Sequence, residues 1–169
     1  MEHGPRAHPI GAAPRSVSRA TTLQTIDLLL LHVAVTWALV GLIWTVQLVQ
    51  HPGFAFVGGT EFAAFHDHHS VRITWIVGPL MACELLTGLA LLWDRPSGLS
   101  GTLLGSGLAL IAVNWAWTAF VAVTLHKKLS GRVRRAQGKL VATNWVRTVA
   151  WSARGAWVLV ALRAATGHL

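Results

Sequence analysis

Residues 25–49 read TIDLLLLHVAVTWALVGLIWTVQLV, an apolar run whose one charged residue, Asp27, lies near its start. At 1.5 Å per residue such a run makes a helix ~37 Å long, more than the ~30 Å hydrocarbon core of a bilayer requires. The rest of the chain has the composition to supply further runs of this kind: 53% of its 169 residues are apolar and 12% are charged, with a mean hydropathy of +0.53. That balance excludes an ordinary soluble fold of this size. Nine Trp beside no Tyr and five Phe fit the same class, because indole rings favour the headgroup boundary and bundle interiors where one edge is wet. The single cysteine, Cys83, excludes an intrachain disulfide and a Cys-based zinc or iron–sulfur site. Inside an apolar run it reads as a small packing residue.

Working outward from this run, four spans are predicted at about 25–49, 70–93, 102–125 and 140–162, giving an all-α integral membrane four-helix bundle over residues 21–169. Residues 1–20 are rich in Gly, Pro, Arg, Ala and Ser without apolar periodicity, and read as a disordered tail. The apolar run that follows is too long for a signal-peptide core and lacks a small-residue cleavage site. His51-Pro52-Gly53 is expected to stop the first helix, Thr60 to cap the second, and Asp94-Arg95-Pro96-Ser97-Gly98 to form a turn. Gly101, Gly105 and Ala109 open the third helix at four-residue spacing. Small residues let helices approach closely, either within the chain or at a homodimer face.

Let end A be the side where the first helix starts and end B the side where it finishes. End B then carries Arg72, Lys127, Lys128, Arg132, Arg134, Arg135 and Lys139, and end A carries Arg6, Arg15, Arg19, Arg95 and Arg163. The positive-inside rule puts the 126–139 loop in the cytoplasm and both termini outside. A short basic loop between two spans lies against anionic headgroups, so its charge, within a net charge of +8, reads as lipid attraction and not as a nucleic-acid patch.

Two polar constellations interrupt this apolar frame. The shallow one, at end B, gathers His51, His66, His69 and His126. His66 and His69 are three residues apart and share a helix face, while His68 points away. Neutral imidazoles converging from several elements make a transition-metal site, with Glu61 and Asp67 as oxygen ligands or orienting partners. Haem b needs only two of these histidines on facing helices. The competing reading is a set of interfacial histidines that hydrogen-bond helix ends or lipid phosphate, and no H-E-x-x-H pattern decides between them. His3, His8 and His168 lie in the tails.

The deeper constellation is built on Glu84 and Arg154, each about 13 Å along its helix from end A. A lone charge at such depth costs at least ~2.5–3.5 kcal/mol, so the two are expected to pair, with His32 and Asn114 in the same layer. On the fourth helix Asn144, Arg147, Trp151 and Arg154 follow one another at three- and four-residue steps, which turns both arginines inward. Arg147 is expected to meet Gln47, Asn114 or an acidic group of a ligand. Gly78-Pro79 lies between the two layers, and because Pro79 cannot donate to the carbonyl of Trp75, a kink or a free carbonyl is expected there. Two arginines against one glutamate call for an anionic partner such as a haem propionate, a carboxylate, a phosphate or a quinone oxygen. A structural ion pair that fixes helix register is the alternative.

No nucleotide-binding loop, hydrolase elbow or C-x-x-C element is present. Two function classes remain. One is a membrane redox protein holding haem b or a transition metal on His51, His66, His69 and His126, with Arg147 and Arg154 steering a lipophilic or quinone-like partner and Glu84, His32 and Asn114 as further reactive-site groups. The other is a cofactor-free small transporter or proton-linked carrier using Glu84, His32 and Arg154, or an accessory subunit of a larger membrane complex. In layout alone the pattern resembles small four-helix membrane oxidoreductases and b-type cytochrome subunits, and layout implies a fold, not an activity.

Overall fold

In the computed structural model, which describes residues 15–96, 98–122 and 135–167, the described chain is helical almost throughout and contains no strand. Helix α1 (Arg15–Thr45) begins inside the stretch expected to be unstructured. It is also not stopped where proline and glycine were expected to end it. A π-helical segment, Val46–Gln50, leads into a turn of α-helix, His51–Gly53, and a 3₁₀ turn, Phe54–Phe56, so the rod runs from Leu23 to Phe56 as one apolar unit. Pro52 stands in the first turn of the short helix, a position that proline tolerates.

Helix α2 (Phe62–Trp93) starts after Glu61, one residue later than the expected Thr60 cap, and no side chain caps it. Backbone bonds from Glu61 and Phe62 to the Gly58 carbonyl, 3.2 and 3.0 Å, close the entry instead. Pro79 lies inside α2, yet helix continues on both sides of it to Trp93. The expected end-A turn is present: Leu99 donates to the Pro96 carbonyl at 3.2 Å, and Gly98 takes φ 97°, a left-handed conformation that favours glycine. Helix α3 (Gly101–Trp117) is capped by Ser100, whose hydroxyl accepts from the Leu103 N–H at 3.1 Å, and ends in a second π-helical segment, Thr118–Ala122. Helix α4 (Arg135–Thr166) begins before the expected residue 140 and shortens the predicted 126–139 loop. Residues 123–134 of the third span and basic loop, His126 among them, lie outside the described residues, as do His3, His8 and His168.

Three helical stretches, Leu23–Phe56, Phe62–Trp93 and Gly101–Phe120, are long and apolar enough to cross a membrane. Helix α4 is long enough but carries Arg147, Arg154 and Arg163, and it does not join that set. Trp75, Ile76, Leu86, Val113, Val149 and Val160 stand exposed on the outside of the bundle. So large an exposed apolar surface is unfavourable in water and suits hydrocarbon.

Each of α1 and α3 packs against both α2 and α4, so α1 and α3 occupy opposite corners. Along the bundle axis the interior is layered. Leu29, Leu91, Leu104 and Ala161 form an apolar cluster toward end A, and Val35, Leu39, Val40, Ile43, Met81 and Trp151 form a second one nearer the middle. A buried polar layer lies between them. Gly88 lets the His32 ring approach, with its Cε1 3.3 Å from where a Cβ would stand. Gly107 seats the Trp157 indole, three of whose atoms lie 2.5–2.9 Å from the corresponding point. Gly101, Gly105 and Ala109, by contrast, are exposed on α3. The intrachain packing expected of those three therefore falls to Gly107 and Gly88.

Candidate functional site

The buried layer is assembled by all four helices. Glu84 from α2 and Arg154 from α4 meet across the bundle, Nε to Oε1 at 3.3 Å, and both are essentially inaccessible. Thr36 of α1 donates to the same Oε1 at 3.0 Å. Nη2 of Arg154 also contacts Nε2 of His32. A guanidinium can only donate, so Nε2 of His32 accepts and its Nδ1 carries the hydrogen, which goes to Thr87 Oγ1 at 2.7 Å. Thr87 in turn donates to the Cys83 carbonyl at 2.7 Å. The guanidinium also stacks over the Trp157 ring, 4.5 Å from its centroid. The layer is thus neutral overall, with one carboxylate, one guanidinium and a histidine held neutral by its partners.

Asn114 of α3 is fully buried, and the antiparallel packing that sets Gly88 beside Ile111 brings it level with Glu84. Its Oδ1 and Nδ2 have no hydrogen-bond partner among the described residues, and neither do Oε2 of Glu84 and Nη1 of Arg154. The sequence placed Glu84, Arg154, His32 and Asn114 together, and Arg154 links the first three, paired with Glu84 and in contact with His32. Asn114 reaches their depth without bonding to them. Thr36 and Thr87, which complete the layer, carry no distinguishing signal, because threonine is common in apolar helices and usually bonds its own backbone.

At end B the described histidines gather on an aromatic ring. Phe54, buried at the tip of the α1 rod, lies 5.8 Å from His51, 5.8 Å from His66 and 5.3 Å from His69, centroid to centroid. His66 also stacks on Phe62 at 5.7 Å. Among the described residues no group of three His, Cys, Asp or Glu side chains is arranged to hold a metal. His126, the expected fourth member, is outside them. Asp67 lies 3.8 Å from His66 but is largely exposed, Glu61 is exposed, and His68 points outward as expected. Continuation of the helix past Pro52 is what delivers Phe54 to the cluster.

Between this aromatic cluster and the buried layer lies a cavity of 710 Å³. Its walls are apolar, with Leu39, Ile43 and Val46 from α1, Val77 and Met81 from α2, Trp115 from α3 and Trp151 from α4. His66, Asp67, Ser70, Thr74, Thr118 and Arg147 supply its polar groups. The π-helical segments of α1 and α3 both border it, as does Gly78 beside Pro79, so each of three helices departs from a regular ladder next to the cavity. Such irregularities are frequent at functional sites.

Arg147 is the cationic group of this cavity. It donates to Asn144 Oδ1 at 3.4 Å; Asn144 donates to Gln47 Oε1 at 2.7 Å, and Gln47 to the Val141 carbonyl at 3.4 Å. That relay bridges α1 and α4 and fixes the guanidinium. It corrects the expectation that Arg147 meets Gln47 or Asn114 directly. Among the described residues Nε of Arg147 has no hydrogen-bond partner, and no carboxylate forms an ion pair with the guanidinium. A pocket of this size, apolar with a few convergent polar groups, is the usual form of a small-molecule site. The chain matches no family model, and neither a curated protein nor a solved structure shows significant similarity to it.

Proposed function

We propose that the chain is a four-span membrane protein that holds a lipophilic molecule with an oxyanion or quinone-like head in the cavity, the head on Arg147 and the apolar body along Leu39, Ile43, Val77 and Met81. The observation that carries this reading is a guanidinium with no carboxylate paired to it among the described residues, set into a mostly apolar cavity. Desolvated in that way, Arg147 gains most from an anionic or carbonyl oxygen brought by a ligand. Helix α4 crosses the bilayer with the others because Arg154 turns into the interior and Arg147 toward the cavity, and end B, richer in Lys and Arg, faces the cytoplasm.

A quinone in this place makes the protein an electron-transfer component, and a lipid or fatty-acid anion makes it a carrier. Haem or a metal at end B needs His126 to join His66 or His69, and a Soret band that disappears in His66→Ala would replace the present reading with that one.

Trp115 and Trp151, two of the nine tryptophans, line the cavity, so a brominated fatty acid bound there quenches part of the intrinsic fluorescence. Arg147→Gln is expected to weaken this binding about tenfold to a hundredfold, the value of one hydrogen bond to a charged group. Saturable quenching of equal affinity in the variant contradicts the assignment.

A further inference from the structure

Arg147 and Arg154 are two turns apart on one face of α4, about 10.5 Å along its axis. The first borders the cavity and the second is held by Glu84 in the buried layer. Met81 and Trp151 come between, with Leu39 of α1: all three line the cavity, all belong to the middle apolar cluster, and each lies one turn from Glu84, Arg154 or Thr36 on its own helix. Methionine is the most adaptable of apolar side chains, so this partition can yield to a ligand. On the far side of it lie atoms without hydrogen-bond partners among the described residues, Nη1 of Arg154, Nδ2 and Oδ1 of Asn114, and Oε2 of Glu84, all on side chains buried beyond nine-tenths.

We propose that ligand binding is linked to proton uptake in this layer: a lipophilic anion first held at Arg147 moves on past Met81 and Trp151 and takes Arg154 over from Glu84, and Glu84 takes up a proton. The proposal rests on the reading of the cavity as a site for such an anion. The charges balance. Before binding, Glu84 and Arg154 compensate each other. Afterwards the anion compensates Arg154, and the released carboxylate, too costly to leave ionised and alone at that depth, forms an O–H bond at Oε2 with a proton drawn from water at the cavity mouth. Asn114 serves both products, with Nδ2 as a donor to the anion and Oδ1 as an acceptor for the new O–H.

The groups facing Glu84 are His32 and Thr36 from α1, Arg154 from α4 and Asn114 from α3, with Thr87 and Cys83 on its own helix. His66, His69 and Asp67 are the titratable groups nearer the cavity mouth, so a test must separate them from Glu84. Decanesulfonate is a suitable probe because its head does not titrate, and any proton exchanged belongs to the protein. Calorimetric titration in phosphate and in Tris, buffers with different heats of ionisation, is expected to show up to about one proton taken up per ligand. In Glu84→Gln the two buffers should give the same heat while binding persists. Asn114→Leu keeps the ion pair and hence the fold, and should lower the uptake even if Glu84→Gln does not fold. Equal heats with intact binding in the parent protein overturn this linkage alone, as does full uptake in both variants. Absence of any binding overturns the cavity reading as well.

Discussion

Replacing Glu84 by Gln is expected to destabilise the bundle by about 3–5 kcal/mol, the cost of leaving one member of a buried ion pair without its counter-charge. Arg154 is then a fully buried guanidinium that retains the His32 contact and the face of Trp157 but no negative charge. Adding Arg154→Gln removes the stranded charge and should restore part of the loss, since two neutral amides can still bond Thr36 and His32. The double change should therefore be more stable than the sum of the single changes by at least about 1 kcal/mol. Thermal unfolding in detergent, followed by far-ultraviolet circular dichroism, measures all three. If the effects simply add, the Glu84–Arg154 contact has no energetic weight.

The second large effect is steric. Gly107→Leu places its side chain where Trp157 now lies, since even a Cβ there would fall 2.5 Å from the ring. The indole must leave, and with it go the bond from Trp157 Nε1 to Ser106 at 3.0 Å and the stacking of Arg154. Overpacking of this kind costs typically 1–3 kcal/mol, roughly, and here it also loosens the guanidinium. Gly105→Leu, on the exposed face of the same helix with open space around it, should leave the stability of the isolated chain unchanged. Comparing the two melting temperatures checks the packing, and equal losses contradict it.

Much of this fold was readable in the sequence because apolar length and the cost of buried charge are strong constraints. The run at 25–49 required a helix, and the depth of Glu84 and Arg154 required that they find each other, which they do at 3.3 Å. His32 followed from its depth. Other features depend on how helix faces are oriented, and spacing alone does not specify that. Gly101, Gly105 and Ala109 have the spacing of a packing face, yet Gly107 is the residue turned inward. Pro52 reads as a stop, but a π-helical segment before it lets the rod continue to Phe56 and carries Phe54 into the histidine cluster. The end-B histidines share a depth, and only the position of that ring shows that those described gather around it and not around a common point. The cavity is a space between four surfaces, so no single stretch encodes it; Arg147 and Gly78 were singled out for other reasons.

The central claim is that the cavity bordered by Arg147 holds a lipophilic ligand, and Gly78→Leu tests it most directly. Gly78 lines the cavity, and a Cβ at that position meets no side chain from another helix within 4 Å, so a leucine there takes up part of the cavity. The usual gain from replacing a helical glycine is offset here, because a Cβ before Pro79 crowds the proline ring, so the fold of the variant is read from its own melting curve. The account predicts that a brominated fatty acid quenches the parent protein saturably and does not quench Gly78→Leu, while a cooperative melting transition shows that the variant is folded. Equal affinity for the two proteins would contradict it.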